Sequence, residues 1–147
     1  MIGVENRLGL KYLLGTRDDH TGTQGLCTLD FPLADARWRA LHKRDLRVVT
    51  YSMAEYRQLL GETGFTGIEF YAAYPDYKVP EIILPCSSAE AVRNFFGQGG
   101  FVPEHDGWDG APLQTSTQES LASHYRSFAE MDIAHHLAPS FFIVARK

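Results

Sequence analysis

The run Phe141–Ala145 constrains the fold more than any other feature of the chain, because all five of its residues are apolar. Side chains of a β-strand point alternately to opposite faces of the sheet. A strand that is apolar at consecutive positions is therefore covered on both faces and lies inside a sheet. The sequence thus predicts a central strand at the C-terminus, with a neighbouring strand on each side.

Other segments supply candidate neighbours for that strand. Ile2–Val4 forms a short apolar run, and residues 68–74 alternate in the pattern of a strand that Pro75 ends. A further short strand, 82–84, lies between two prolines. A helix between the first two strands would make a crossover connection that leaves them parallel. We therefore expect the tail strand to lie between them and to run in the opposite direction.

Three predicted helices begin with a capping box, in which a Ser is followed three residues later by a Glu. The pairs are Ser52/Glu55, Ser87/Glu90 and Ser116/Glu119. Gly64 stands where a left-handed residue would end the first of these helices. Residues 16–37 read as a loop, and residues 35–44 as a short helix.

The composition of the chain excludes several classes of protein. A chain of 147 residues with 44% apolar and 22% charged residues can bury the core of one domain. The net charge of −4 argues against a nucleic-acid partner. No apolar run approaches the ~18 residues needed for a membrane span. The 2 cysteines are too few for a disulfide scaffold, so we expect a cytoplasmic protein.

Three stretches carry a resemblance to a known family. They are Ile2-Gly-Val-Glu-Asn-Arg-Leu-Gly-Leu-Lys-Tyr-Leu-Leu-Gly, Asp18-Asp-His-Thr-Gly and Tyr74-Pro-Asp-Tyr-Lys-Val-Pro. With the tail strand, they resemble the C-terminal part of bacterial class I S-adenosylmethionine-dependent methyltransferases. In that family a strand ending in Glu-Asn leads through a helix ending in Gly-Phe to a sixth strand. An antiparallel seventh strand lies between these two. The resemblance covers residues 2–84 and 140–147.

The resemblance implies an α/β fold containing part of a Rossmann-like sheet, with two parallel strands, the antiparallel C-terminal strand between them, and flanking helices. The whole chain, 1–147, would be one domain, with a loop insertion at 16–50 and a helical insertion at 87–137. The family's cofactor is S-adenosylmethionine, held by a glycine-rich loop after its first strand. This chain has no such strand–Gly-x-Gly–helix unit, since Gly97-Gln-Gly-Gly100 follows a helix. We therefore expect it to be inactive alone and to need an N-terminal, cofactor-binding half, either as a partner or as part of a longer chain.

Ligands of open α/β sheets gather at the carboxyl ends of the parallel strands. The polar residues there are the candidate binding residues for a small-molecule methyl acceptor: Glu5, Asn6 and Arg7 after the first strand, and Asp76, Tyr77 and Lys78 after the second. A structural alternative stays open for both groups. Glu5 and Arg7 would cap loop backbone, and Asp76 would form an Asx-turn after Pro75.

His20, with Asp19, is the acid–base candidate. The acceptor must lose a proton, and an imidazole with an ordinary pKa of about 6.5 can take it when a carboxylate orients the ring. Neighbours in sequence rarely pair directly, so other carboxylates are equally open as its partner: Asp18, Asp76 and Glu5. Loop histidines more commonly bond a nearby hydroxyl or backbone group.

No metal site is expected, because the adjacent pair His135-His136 lacks the spacing of zinc ligands. A non-enzymatic alternative is an interaction or assembly domain. The outer edge of the strand at Ile2–Val4 would be unpaired, and such edges pair with other chains. Self-association through that edge would make a homo-oligomer with a continuous sheet. A weaker alternative is a small-molecule binding module with residues 16–37 as a lid.

Overall fold

The computed structural model describes residues 1–18, 20–100 and 115–147, without the side chains of 115–118. Its strands are β1 (Ile2–Glu5), β2 (Thr66–Tyr74), β3 (Ile82–Pro85) and β4 (Ser140–Arg146). They form one mixed α/β arrangement with a four-stranded sheet in the order β1-β4-β2-β3. The helices are α1 (Leu10–Leu13), α2 (Phe31–His42), α3 (Met53–Glu62), α4 (Ala89–Gly97) and α5 (Thr115–Glu130). A 3₁₀ turn, Ala134–Leu137, leads into β4.

The predicted position of the tail strand is confirmed. Ile143 of β4 lies opposite Ile2 of β1 on one side and Phe70 of β2 on the other. Both pairings are antiparallel, so β1 and β2 run in the same direction with β4 between them. They share no hydrogen bonds with each other, and every bonded pair of the described sheet is antiparallel. The expected Rossmann-like, parallel arrangement is therefore not supported.

One face of β4 lies in the main core through Phe141 and Ile143, whereas Phe142 and Val144 on the other face are half-buried, so the predicted coverage of both faces is only partial. Phe141 is fully buried, and its ring meets that of Phe70 edge to face at 5.6 Å. Helix α5 adds Tyr125, which stacks on Phe96 of α4. A second, smaller apolar cluster forms apart from this core around helix α2, and its buried members are Leu26, Ala34, Trp38 and Leu46.

Helix α3 begins as predicted, with both halves of its capping box formed. The Ser52 hydroxyl accepts from the backbone N–H of Glu55, and the Glu55 carboxylate accepts from the backbone N–H of Ser52 at 2.7 Å. Gly64 follows the helix with a φ of +87°, which glycine adopts without strain. Local sequence rules succeed here because the contacts that they invoke are local.

Helix α4 begins one residue later than predicted. Ser88, not Ser87, is its N-cap, and the Ser88 hydroxyl accepts from the N–H of Ala91 at 3.2 Å. The N–H of Ser88 bonds the carbonyl of Pro85, so the turn that ends β3 places Ser88 at the start of the helix. The third predicted cap, Ser116, lies inside helix α5, and its side chain is outside the described residues.

Helix α2 replaces much of the predicted loop, because it starts at Phe31 rather than at residue 35. Asp30 is its N-cap and accepts from the N–H of Leu33 at 3.1 Å. Pro32 lies in the first turn, where a missing N–H costs nothing. An acidic cap followed by proline is therefore the start signal that the loop interpretation of this segment overlooked.

Candidate functional site

The carboxyl ends of β1 and β2 lie at the same end of the sheet, on either side of β4. A buried carboxylate lies at or just after each of these two strand ends. Glu5 is 5% exposed and Asp76 is 2% exposed. Each has a lysine partner: Lys78 Nζ lies 2.9 Å from Glu5 Oε1, and Lys11 Nζ lies 3.0 Å from Asp76 Oδ2. A carboxylate keeps its charge in a buried place when a cation and hydrogen bonds compensate for lost water. We call Glu5, Lys78, Asp76 and Lys11, together with His20, the strand-end cluster.

His20 faces the first of these carboxylates. Its Nε2 lies 3.5 Å from Glu5 Oε2, and its side chain is 42% exposed. Buried Asp18 shapes the loop by accepting from the backbone N–H of His20 at 3.1 Å and from the hydroxyl of Thr21. Within the described residues Glu5 is thus the carboxylate within ion-pair distance of the imidazole. Asp19, the other predicted catalytic residue, lies outside the described residues.

Asn6 is a structural residue in this geometry. Its side chain is fully buried and donates to the carbonyls of His136, at 2.8 Å, and Ala138, at 2.7 Å. Its oxygen accepts from the N–H of Leu8. Both amide hydrogens are therefore used to tie the end of β1 to the turn before β4, and neither is directed to a ligand.

Arg7 also supports the framework. Its Nε and Nη2 donate to the two oxygens of Glu55 at 2.7 and 3.1 Å, and its Nη1 donates to the carbonyl of Thr28 at 3.0 Å. This fork lowers the pKa of Glu55 to about 2, with further help from bonds to Ser52. One guanidinium thus joins the end of β1, the start of α3 and the loop that leads to α2.

The segment after β2 folds back across β1. Asp76 makes the Asx-turn of the structural alternative, since its Oδ1 accepts from the N–H of Lys78 at 3.0 Å. Tyr77 covers Gly3, where a Cβ would collide with the tyrosine ring. This packing carries Lys78 to Glu5, and so it brings together side chains that are 73 positions apart in sequence.

Lys11 was not predicted as a member of the site. It belongs to α1, between the buried Leu10 and Tyr12, and a single charge in so apolar a segment is the signal that could have found it. Cys27 also lies beside the cluster. Burial, with the nearby charges of Asp18 and Glu5, raises the pKa of its thiol to about 12.

An open groove of about 660 Å³ adjoins the exposed side of His20. Its walls come from the loop His20–Thr21, from Trp38 of α2 and from residues 44–48. The groove therefore joins the imidazole of the strand-end cluster to the insertion that carries α2.

Among the residues that the structure describes, no three histidine, cysteine or acidic side chains are grouped so that they could hold a metal ion. No described helix has the length and apolar character of a membrane span. The glycines of 97–100 end helix α4 and do not follow a strand. Comparison with family models, curated proteins and solved structures found no match.

Proposed function

We propose that this chain is the acceptor-side half of an S-adenosylmethionine-dependent methyltransferase, and that an N-terminal half, in a partner or in the same longer chain, holds the cofactor. The observation that carries the proposal is the position of β4, antiparallel to both neighbours and between two strands of common direction. That order is the one which the resembled family has at the C-terminal side of its sheet. The polar strand-end cluster lies where such a sheet binds its acceptor.

The residues that the structure describes do not form a cradle for the cofactor. The sequence has no strand–Gly-x-Gly–helix unit, and its glycine-rich segment at 97–100 is the end of a helix. In the resembled family the cofactor supplies the methyl group. What this chain contributes, in our proposal, is binding of the acceptor and removal of its proton.

His20 is the proposed general base. Its exposed Nε2 can accept a proton from an acceptor hydroxyl or amine, and the nearby carboxylate of Glu5 stabilises the imidazolium that forms. Lys78 Nζ lies 2.9 Å from the same carboxylate and compensates its negative charge in the buried position. Asp18 holds the loop so that the ring stays at the mouth of the groove.

A binding experiment tests whether this chain by itself binds the cofactor. Calorimetric titration of the isolated chain with S-adenosylmethionine should show no heat of binding. Micromolar binding would contradict the assignment of the cofactor to another half. The DNA upstream of the segment that encodes this chain, in the same or a neighbouring reading frame, should encode a strand, a glycine-rich turn and a helix, and this chain joined to them should bind the cofactor.

An activity experiment on the joined protein tests the base. Transfer of a radioactive methyl group to acceptors should fall roughly 10²- to 10⁴-fold in kcat for His20→Ala, because that is the usual contribution of general base catalysis. The matched control is His124→Ala, an exposed histidine of α5. Equal rates for the two variants would remove His20 from the mechanism.

A second candidate function is assembly through β1. In the described sheet β1 is bonded to β4 alone, and Ile2 is 49% exposed at this edge. Exposed strand edges pair with other chains. Sedimentation of the isolated chain should then show an oligomer that Ile2→Lys disperses, whereas a monomer at every concentration would exclude this candidate.

A further inference from the structure

Positive charge is concentrated around α2, although the chain as a whole has a net charge of −4. Between residues 35 and 47 the basic residues are Arg37, Arg39, Lys43, Arg44 and Arg47, against the acids Asp35 and Asp45. Arg44 and Arg47 line the groove beside His20, together with one acid, Asp45. The groove is therefore a local exception in an acidic protein.

The acids of this segment are engaged by a third arginine. Arg39 Nε lies 2.8 Å from Asp35 and its Nη2 lies 3.3 Å from Asp45. In the described part of the chain, neither Arg44 nor Arg47 has a carboxylate within ion-pair distance. Their guanidinium groups thus retain hydrogen-bond donors that an anion in the groove could use.

One of these two guanidinium groups is held in place. Lys43 adopts a left-handed conformation, with a φ of 57°, and turns the chain after α2. Arg44 then lies over the ring of Trp38, with its guanidinium carbon 5.5 Å from the ring centre. Trp38 is buried in the smaller apolar cluster, so the ring is a fixed support for the cation. A positioned guanidinium loses less freedom on binding an anion than a mobile one.

We propose that this groove binds the methyl acceptor through an anionic group, a phosphate or a carboxylate, held by Arg44 and Arg47. The inference rests on the proposed function and names the substrate class of the same site. His20 lines the same groove, so an acceptor held there by its anion has its hydroxyl or amine near the proposed base. Planar guanidinium forks match both phosphate and carboxylate oxygens, which is why the two anions are named together.

Trp38 provides a readout that needs neither cofactor nor partner. In a Trp108→Phe background it is the one remaining tryptophan of the chain, and Arg44 contacts its ring. Titration with pyrophosphate or with malonate should change its emission saturably. Potassium chloride at equal ionic strength should not. A response to pyrophosphate alone would identify phosphate as the group, and a response to malonate alone would identify carboxylate.

The double variant Arg44→Ala/Arg47→Ala should weaken the binding of the responding anion by about tenfold or more, because two charge-assisted contacts are lost. Its matched control, Arg93→Ala/Arg126→Ala, removes two exposed arginines from α4 and α5 and should bind as the parent does. Isothermal titration repeats the comparison, since Arg44→Ala alters the surroundings of the fluorophore. Circular dichroism confirms that each variant is folded.

No saturable response to either anion, an equal response to chloride, or equal weakening in both double variants would overturn the inference. These outcomes are separate from those of the methyl-transfer assay. Anion binding without methyl transfer in the joined protein would count against the proposed function, while the groove would remain an anion site. Methyl transfer without anion binding would keep the proposed function and remove the anionic acceptor.

Discussion

Side chains that are adjacent at the end of β1 have different surroundings and therefore different roles. Glu5 faces Lys78 and His20. Asn6 instead donates to backbone carbonyls, and Arg7 donates to Glu55. All three are polar residues after a strand, and that pattern alone does not separate a ligand group from a support. The hydrogen bonds separate these roles: both amide hydrogens of Asn6 are bonded to protein, and the Arg7 guanidinium is held by Glu55 and the carbonyl of Thr28, while Glu5 faces the exposed imidazole of His20.

Asn6→Ala should destabilise the chain by about 2–4 kcal/mol, because buried carbonyls lose their donors and the packing around a fully buried side chain is lost. Urea unfolding measures this change. Asn94→Ala, at an exposed position of α4, is the control and should change stability by less than about 0.5 kcal/mol. Equal effects of the two substitutions would mean that the bonds of Asn6 contribute nothing.

Both thiols should resist modification in the folded chain. Burial is the main cause that raises the pKa of Cys27 and of Cys86 to about 12. At pH 8 the thiolate fraction is then on the order of one in ten thousand, and the thiolate is the reactive form. Reaction with a chromogenic disulfide should be slow in buffer and should reach both cysteines rapidly in urea. Rapid labelling of either in buffer would contradict the burial.

The starts of helices α3 and α4 show which structural features local sequence rules can predict. Helix α3 was predicted with its cap, because Ser52 and Glu55 are three residues apart and contact each other. Adjacent serines at 87 and 88 left the start of α4 ambiguous, and the turn after β3 decides it. The pairing of Lys11 with Asp76 joins positions 65 apart and forms only after the sheet assembles, so no local rule reveals it.

The start of α3 should make stability depend on acid pH. Glu55 has a pKa lowered from 4.5 to about 2, chiefly by Arg7, so its ion pair stabilises the fold above the unfolded pKa. That stabilisation is lost as pH falls from about 5 towards 2. In urea unfolding, the difference in the free energy of unfolding between the parent and Glu55→Gln should therefore be largest near neutral pH and should disappear in acid.

The control for this titration is Glu130→Gln, at an exposed position at the end of α5. Its stability should follow that of the parent across the same pH range. A gap for Glu55→Gln that stays constant with pH would show that the Arg7 pair does not set the titration of this carboxylate.

For the whole molecule, one strand explains most of what the sequence could predict. The apolar run at 141–145 required two neighbours, and β4 has them in β1 and β2. The insertion at 16–50 was harder to predict, because α2 packs on its own small cluster rather than on the main core. The groove is formed by that insertion, so sequence patterns indicated His20 but not the arginines that line the groove with it.

Hydrogen exchange tests this strand order. The amides of β4 and β2 should exchange most slowly in the sheet, because each of these two strands is paired on both sides. The outer strands β1 and β3 should exchange faster. Exchange of Phe141 and Ile143 at the rate of Gly3 and Val4 would be incompatible with a central position for β4. Residue-resolved NMR in deuterated buffer provides the measurement.

The separate apolar cluster around α2 has an evolutionary consequence. It packs apart from the main core, and Arg7 bonds the loop that leads to it through the carbonyl of Thr28. Substitutions within the insertion at 16–50 can therefore accumulate with little disturbance of the strand order. Under the proposed function, variation in the acceptor should concentrate there, so that related chains differ in what they modify while keeping the same sheet.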